Sequence, residues 1–228
     1  MPSKKRKSKT KKRQSPQQRH QLFWPLLVLI FVFWFLYRIL FSFSVFFDEL
    51  VGKAIFFAFP VLIYLTITGF SATMETLSFA KLKRGLLIGL MLGGVLGFVA
   101  VITKALLNSG HIEPLAFYAA ENFWWEMFLA MLTSFFETLF FFSFVMLVIE
   151  DRYPKWSLFK KVLVVAFIFL IFHLPNLFLR FSLETIYLHT ALLFAFALGQ
   201  SLLFYAQRNA YTLLMTQAIW GMVLLIHF

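Results

Sequence analysis

The chain has 228 residues, 61% of them hydrophobic and only 14% charged, with a mean hydropathy of +0.82; a water-soluble domain of this size needs far more surface charge, so lipid is its solvent. It contains no cysteine, which excludes disulfides, thiolate nucleophiles and cysteine metal sites. The net charge of +11 looks suited to nucleic acid, yet nine of the 21 Lys and Arg fall in the first nineteen residues, and no folded domain remains to present them.

Residues 1–21 read as a low-complexity tail of Lys, Arg, Ser and Gln with nothing to bury, expected to be disordered. The positive-inside rule places this tail in the cytoplasm. Its basic residues are expected to adhere to anionic lipid headgroups, at about 1 kcal/mol each near the surface. No small-x-small site closes the following apolar stretch, so a cleavable signal peptide is not expected. Residues 22–228 are expected to form one transmembrane domain. Seven apolar runs follow, at 22–47, 54–70, 86–107, 123–149, 162–179, 185–206 and 210–228. In lipid each must satisfy its backbone polar groups internally, so each is expected to be a helix. Short connections separate them, beginning with 48–53, and no repeat period is apparent. With the tail inside, the inner side holds eight basic residues (Lys81, Lys83, Arg84, Arg152, Lys155, Lys160, Lys161, Arg208) against three outside (Lys53, Lys104, Arg180). That bias supports about seven spans, N-terminus in and C-terminus out. Arg38, inside the first run, is expected to snorkel outward or face a neighbouring helix. The predicted architecture is an all-α, multi-pass bundle in the cell membrane.

Most ionisable residues sit at helix ends, and Lys104, Glu126, His189 and His227 are expected to be interfacial. Glu137 and His173 differ, for each lies well inside its run. A carboxylate at the centre of a bilayer costs at least about 2.5 to 3.5 kcal/mol, so it must face the bundle interior and find a partner. Glu137 lies thirteen residues before Glu150, and His173 twelve after Lys161. At about 1.5 Å per residue both sit roughly 18 to 20 Å from the cytoplasmic boundary, which permits contact between consecutive antiparallel helices. Glu126, Ala130, Thr133, Ser134, Glu137 and Phe141 also form one stripe of the fourth helix, typical of a helix–helix seam. A structural polar contact in that seam is the plain alternative to chemistry. In the last run Thr216, Gln217 and Gly221 interrupt an apolar face, and Gln217 is able to bond towards the same midplane cavity.

The segment Phe136-Glu137-Thr138-Leu139-Phe140-Phe141-Phe142 resembles the first motif, Glu-Glu-x-x-x-Arg, of the CAAX protease and bacteriocin-processing family. Phe169-Leu170-Ile171-Phe172-His173 is similar to its second motif, Phe-x-x-x-His. The stretch from Phe194 to Gly221 looks like its last two helices, which usually end in His-Ala-x-x-Asn or Asp. The resemblance covers a core of about 123–228. It implies an intramembrane, metal-independent endopeptidase of the type that removes the last three residues of prenylated CAAX proteins. Glu137 would activate a water with His173 as its partner, while Gln217, Thr138 and Phe169 would bind the oxyanion or support the site. No cofactor is implied, and the substrate would be a peptide or protein in the membrane. The sequence departs from the family at four places: Thr138 for the second Glu, Phe142 for the Arg, Gln217 for the third-motif His and Gly221 for the Asn. Losing Glu and Arg together leaves neither charge buried and unpaired. A catalytically inactive relative acting in binding, immunity or scaffolding is the second expectation, and a small transporter the third. No Gly-x-Ser-x-Gly-like element surrounds Ser134, Ser143 or Ser201, which argues against a serine protease.

Overall fold

The computed structural model describes residues 15–107, 122–182 and 185–227, and these residues form helices and short connections without a strand. Seven long helices build the bundle: α1 (Phe23–Leu40), α2 (Val45–Thr68), α3 (Leu82–Leu107), α4 (Phe123–Arg152), α5 (Leu158–Arg180), α6 (Ile186–Gln207) and α7 (Ala210–His227). The first six, α1 and α3 counted with the short helical turns that precede them, are long and apolar enough to cross a membrane; α7, 18 residues long, is the remaining long helix among the described residues. The protein is therefore an all-α, polytopic membrane bundle. Most of the predicted connection between α3 and α4, residues 108–121, and residues 1–14 of the predicted tail lie outside the described residues.

The first connection corrects the sequence expectation. Apolar patterning predicts a run to residue 47 and a connection at 48–53, but the chain breaks earlier, at Phe41, which is extended. Ser44 then caps the next helix, its hydroxyl accepting from the Phe47 N–H. Residues 48–53 consequently belong to α2, which ends at Gly69 in the left-handed conformation (φ 65°) that favours glycine. Arg38 meets its neighbour there: its guanidinium donates to Asp48 at 2.7 Å, and Asp48 also accepts from the Tyr37 hydroxyl at 2.5 Å.

α4 is the axis of the bundle. Some 78% of its most apolar stretch is buried, against 22 to 44% for the other five. Its Phe140, Phe141, Phe142 and Phe144 lie in an aromatic core with Phe57 of α2 and Phe169 and Phe172 of α5. Phe57 and Phe140 stack with centroids 4.9 Å apart, and Phe141 meets Phe169 edge-on at 4.9 Å. Such pairs contribute about 0.5–1.5 kcal/mol beyond their buried area. Phe142, where the family resemblance would place an Arg, is wholly buried among these rings.

One end of the bundle collects the basic residues expected on the cytoplasmic side. Arg208 forms a two-pronged ion pair with Glu150, Lys81 donates to the Arg208 carbonyl at 2.9 Å, and Arg19 lies 3.7 Å from Asp151. Arg208 takes a left-handed backbone (φ 49°) at the turn into α7, a conformation unusual for a side chain of its size, and the Glu150 pair holds it there. Residues 15–21, within the predicted tail, form a capped helical turn at Pro16–Arg19 and a wholly buried His20. The His20 ring bridges the Tyr64 hydroxyl (2.6 Å) and Asp151 (2.7 Å), and Arg152 donates to its carbonyl. The tail boundary is set by this clamp, not by apolar composition. His20→Ala strands the Tyr64 hydroxyl and is expected to lower stability by about 2 kcal/mol. Limited trypsin digestion should then cut at Arg19 faster than in the wild type, and unchanged protection would show that the clamp is not what holds the N-terminus.

Candidate functional site

Glu137 and His173 meet. His173 Nε2 stands 3.4 Å from Glu137 Oε1, and both side chains are largely shielded from solvent. The Nδ1 of His173 bonds the Phe169 carbonyl at 2.8 Å. A carbonyl only accepts, so Nδ1 carries the hydrogen and Nε2 is the atom turned towards the carboxylate. Phe169 holds the ring a second time by stacking on it, with centroids 4.1 Å apart. α1 ties in beside this point, where the Trp34 indole donates to the Phe172 carbonyl at 3.0 Å.

Gln217 arrives from α7 and donates through Nε2 to Glu137 Oε2. Its amide orientation is fixed from the other side, because Thr138 donates its hydroxyl to Gln217 Oε1 at 3.4 Å. A flipped amide would set oxygen against oxygen. All five residues singled out in the sequence, Glu137, His173, Gln217, Thr138 and Phe169, therefore share one buried locus supplied by three helices. Gly221 lies a turn further along α7, and a Cβ added there would meet nothing within 4 Å. The expected seam is also present. Ser134 and Phe141 are buried, Thr133 bonds across to α2, and Glu126 is exposed at the helix start.

Two residues of this locus are missed by sequence patterning. Lys53, predicted on the outer surface, is buried instead, and its ammonium donates to Glu137 Oε1 at 2.7 Å. The same ammonium lies 2.6 Å from Glu49 Oε2, which also accepts from the Thr133 hydroxyl. A hydropathy reading assigns 48–53 to a connection because three of its six residues are charged. The available signal was the i,i+4 spacing of Glu49 and Lys53, which puts opposite charges on one helix face. Both charged helices leave the α form at these groups. α2 runs with π-type turns at Asp48–Gly52 and Ala54–Ala58, and α4 becomes π-helical over Thr138–Met146 immediately after Glu137. Such widened turns are frequent at functional positions.

The electrostatic arrangement follows from these contacts. Glu49 and Glu137 flank one ammonium, with the imidazole and the amide completing the shell around Glu137. A carboxylate offers about four acceptor sites. Lys53 and Gln217 donate to Glu137 and His173 Nε2 stands 3.4 Å away, so the carboxylate keeps lone-pair capacity for a further donor. Among the described residues no three His, Cys, Asp or Glu groups are arranged to hold a metal ion; the cationic position between the two acids is taken by Lys53. Against known protein families, curated proteins and solved structures the chain finds no match.

Proposed function

We propose that the protein is a glutamate-dependent intramembrane endopeptidase of the cell membrane, acting on a peptide or protein segment presented within the bilayer. The observation that supports this reading is the direct approach of the Glu137 carboxylate and the His173 imidazole, 3.4 Å apart, inside a helical membrane protein. In this reading Glu137 accepts a proton from the attacking water through its remaining acceptor site. His173, held by the Phe169 carbonyl and ring, takes that proton from Glu137 at Nε2 and passes it to the leaving amine as the peptide C–N bond breaks. The Gln217 amide lies beside the carboxylate, where its positive dipole offsets the negative charge that develops on the substrate carbonyl oxygen. The basic N-terminal tail serves as a contact to anionic headgroups.

The test is turnover by the full chain in proteoliposomes. It is presented with a farnesylated peptide carrying a C-terminal CAAX sequence, and with a mixture of transmembrane peptides. Glu137→Gln keeps the size of the side chain and removes the base, and it is expected to reduce product at least about 10²-fold while the protein stays folded. Cleavage that persists in this variant would overturn the assignment of Glu137, and absence of product from the wild type with either substrate would overturn the reaction class.

A second reading has its own observation. Both oxygens of Glu137 already accept hydrogen bonds from protein side chains, as in a structural polar lock. The protein would then act by binding, in immunity or as a scaffold. Its cellular phenotype would survive both Glu137→Gln and His173→Ala.

A further inference from the structure

We propose that Glu49 and Lys53 on α2 form a positioning unit for Glu137, in which Lys53 orients the carboxylate and Glu49 holds Lys53 and offsets its charge. This inference rests on the endopeptidase reading for its functional part, and on geometry alone for its structural part.

The charge count is the starting point. A lysine placed only to neutralise a buried glutamate needs one acid, and bringing a second, part-buried acid to it adds a desolvation cost. Here the ammonium has two acids, at 2.6 and 2.7 Å, and they come from different helices. Glu49 is itself fixed by the Thr133 hydroxyl, which lies one turn before Glu137 on α4. Thr133, Glu49, Lys53 and Glu137 therefore close a loop from α4 to α2 and back. Such a loop sets the carboxylate's direction as well as its charge, because moving the ammonium breaks two contacts at once.

Exposure runs the same way. The Glu49 side chain is 17% exposed, Lys53 6% and Glu137 7%. The acid nearest water thus shares the cation with the acid deepest in the bundle. With Glu49 on the same ammonium, Lys53 is held from both sides, and Glu137 is anchored by a cation that two acids share. His173 Nε2 also faces the unit, 3.4 Å from Glu137 Oε1, and Asp48, next to Glu49 in the chain, is matched by Arg38 at 2.7 Å.

The experiment uses the full chain in liposomes and four variants: Lys53→Met, Lys53→Arg, Glu49→Gln and the double variant Lys53→Met with Glu49→Gln. The first readout needs no substrate. A hydrophobic carbodiimide modifies uncharged buried carboxyl groups, and mass spectrometry of Glu137 measures the yield. Low labelling is expected in the wild type and in Lys53→Arg, and at least about tenfold more in the double variant, which carries one unpaired acid where Lys53→Met alone carries two. Unchanged labelling of Glu137 in the folded double variant would overturn the claim that Lys53 holds it, whatever the protein's activity.

The second readout is turnover of the peptides above. Lys53→Arg is expected to retain most of it, and the double variant to lose about 10²-fold per folded molecule. Glu49→Gln alone is expected to reduce turnover with little loss of folding. A double variant that cleaves within about threefold of the wild type would reduce Lys53 to a bundle ion pair and sink the proposal. Should the wild type cleave neither substrate, the endopeptidase reading fails, and with it the catalytic role of the unit. The labelling result then decides the positioning claim by itself.

Discussion

Lys53→Met is expected to destabilise the bundle by about 3–5 kcal/mol, the range for removing one partner of a buried ion pair. The variant leaves Glu49 and Glu137 facing a space that one ammonium had filled from 2.6 and 2.7 Å. Two like charges cannot both stay ionised in a low-dielectric interior, so at least one must take a proton or draw in water. The destabilisation therefore belongs to the stranded acids and only slightly to lost packing, since Met keeps most of the lysine stem. That attribution has a sharp consequence. The neutral set, Lys53→Met with Glu49→Gln and Glu137→Gln, is expected to return to within about 1 kcal/mol of the wild type, because uncharged groups of similar volume replace a buried ionic cluster at little or no loss. Unfolding in detergent, followed by tryptophan fluorescence, measures both. A single variant as stable as the wild type, or a neutral set no better than the single variant, would show that the cluster is solvated and its charges cheap.

How much of this was legible in the sequence depends on where each signal lives. Helices are local, since twenty apolar residues in lipid leave the backbone no other choice, and the runs beginning at residues 123 and 210 coincide with α4 and α7. The Glu137–His173 contact was legible as a matched depth on two adjacent antiparallel helices, and Gln217 as the polar interruption of an apolar face. Lys53 and Glu49 were legible only as an opposite-charge pair at i,i+4, and hydropathy overrides that signal by treating any charged stretch as a connection. What makes their burial tolerable is Glu137, 84 residues further along the chain, together with Thr133. His20 is the same case, buried against Asp151 from 131 residues away. Ion pairs between distant segments hide charges that a windowed reading assigns to water. The spacing of Gly85, Gly89 and Gly93 was visible, four residues apart on one face of α3, but small residues at that spacing state only that something comes close. They do not say what.

In the structure it is α7, and this carries the last prediction. Gly89→Ala is expected to lower stability by about 1–3 kcal/mol, the usual range for overpacking, and Gly89→Leu to prevent α3 and α7 from packing at all. A Cβ at position 89 would lie 2.6 Å from the Thr212 carbonyl oxygen and 2.7 Å from Met215 Cβ, so α7 has to move as a body, with no flexible side-chain tip to give way. Gly85 and Gly93 are more forgiving, because the atoms met first belong to the Asn209 and Ile219 side chains. The control is the neighbouring Gly94, where an added Cβ meets nothing within 4 Å. There Ala should be neutral or stabilising by up to about 1 kcal/mol through helix propensity. Two glycines five residues apart in one helix are thus expected to respond differently, which composition and propensity alone cannot produce. The effect should also reach the polar centre, since Gln217 lies between Met215 and Ile219 on the helix that is displaced. Gly89→Ala is therefore expected to raise carbodiimide labelling of Glu137 along with its loss of stability, whereas Gly94→Ala changes neither. Equal responses at 89 and 94 would mean that α7 does not pack on α3 at this distance, and the placement of Gln217 against Glu137 would fall with it.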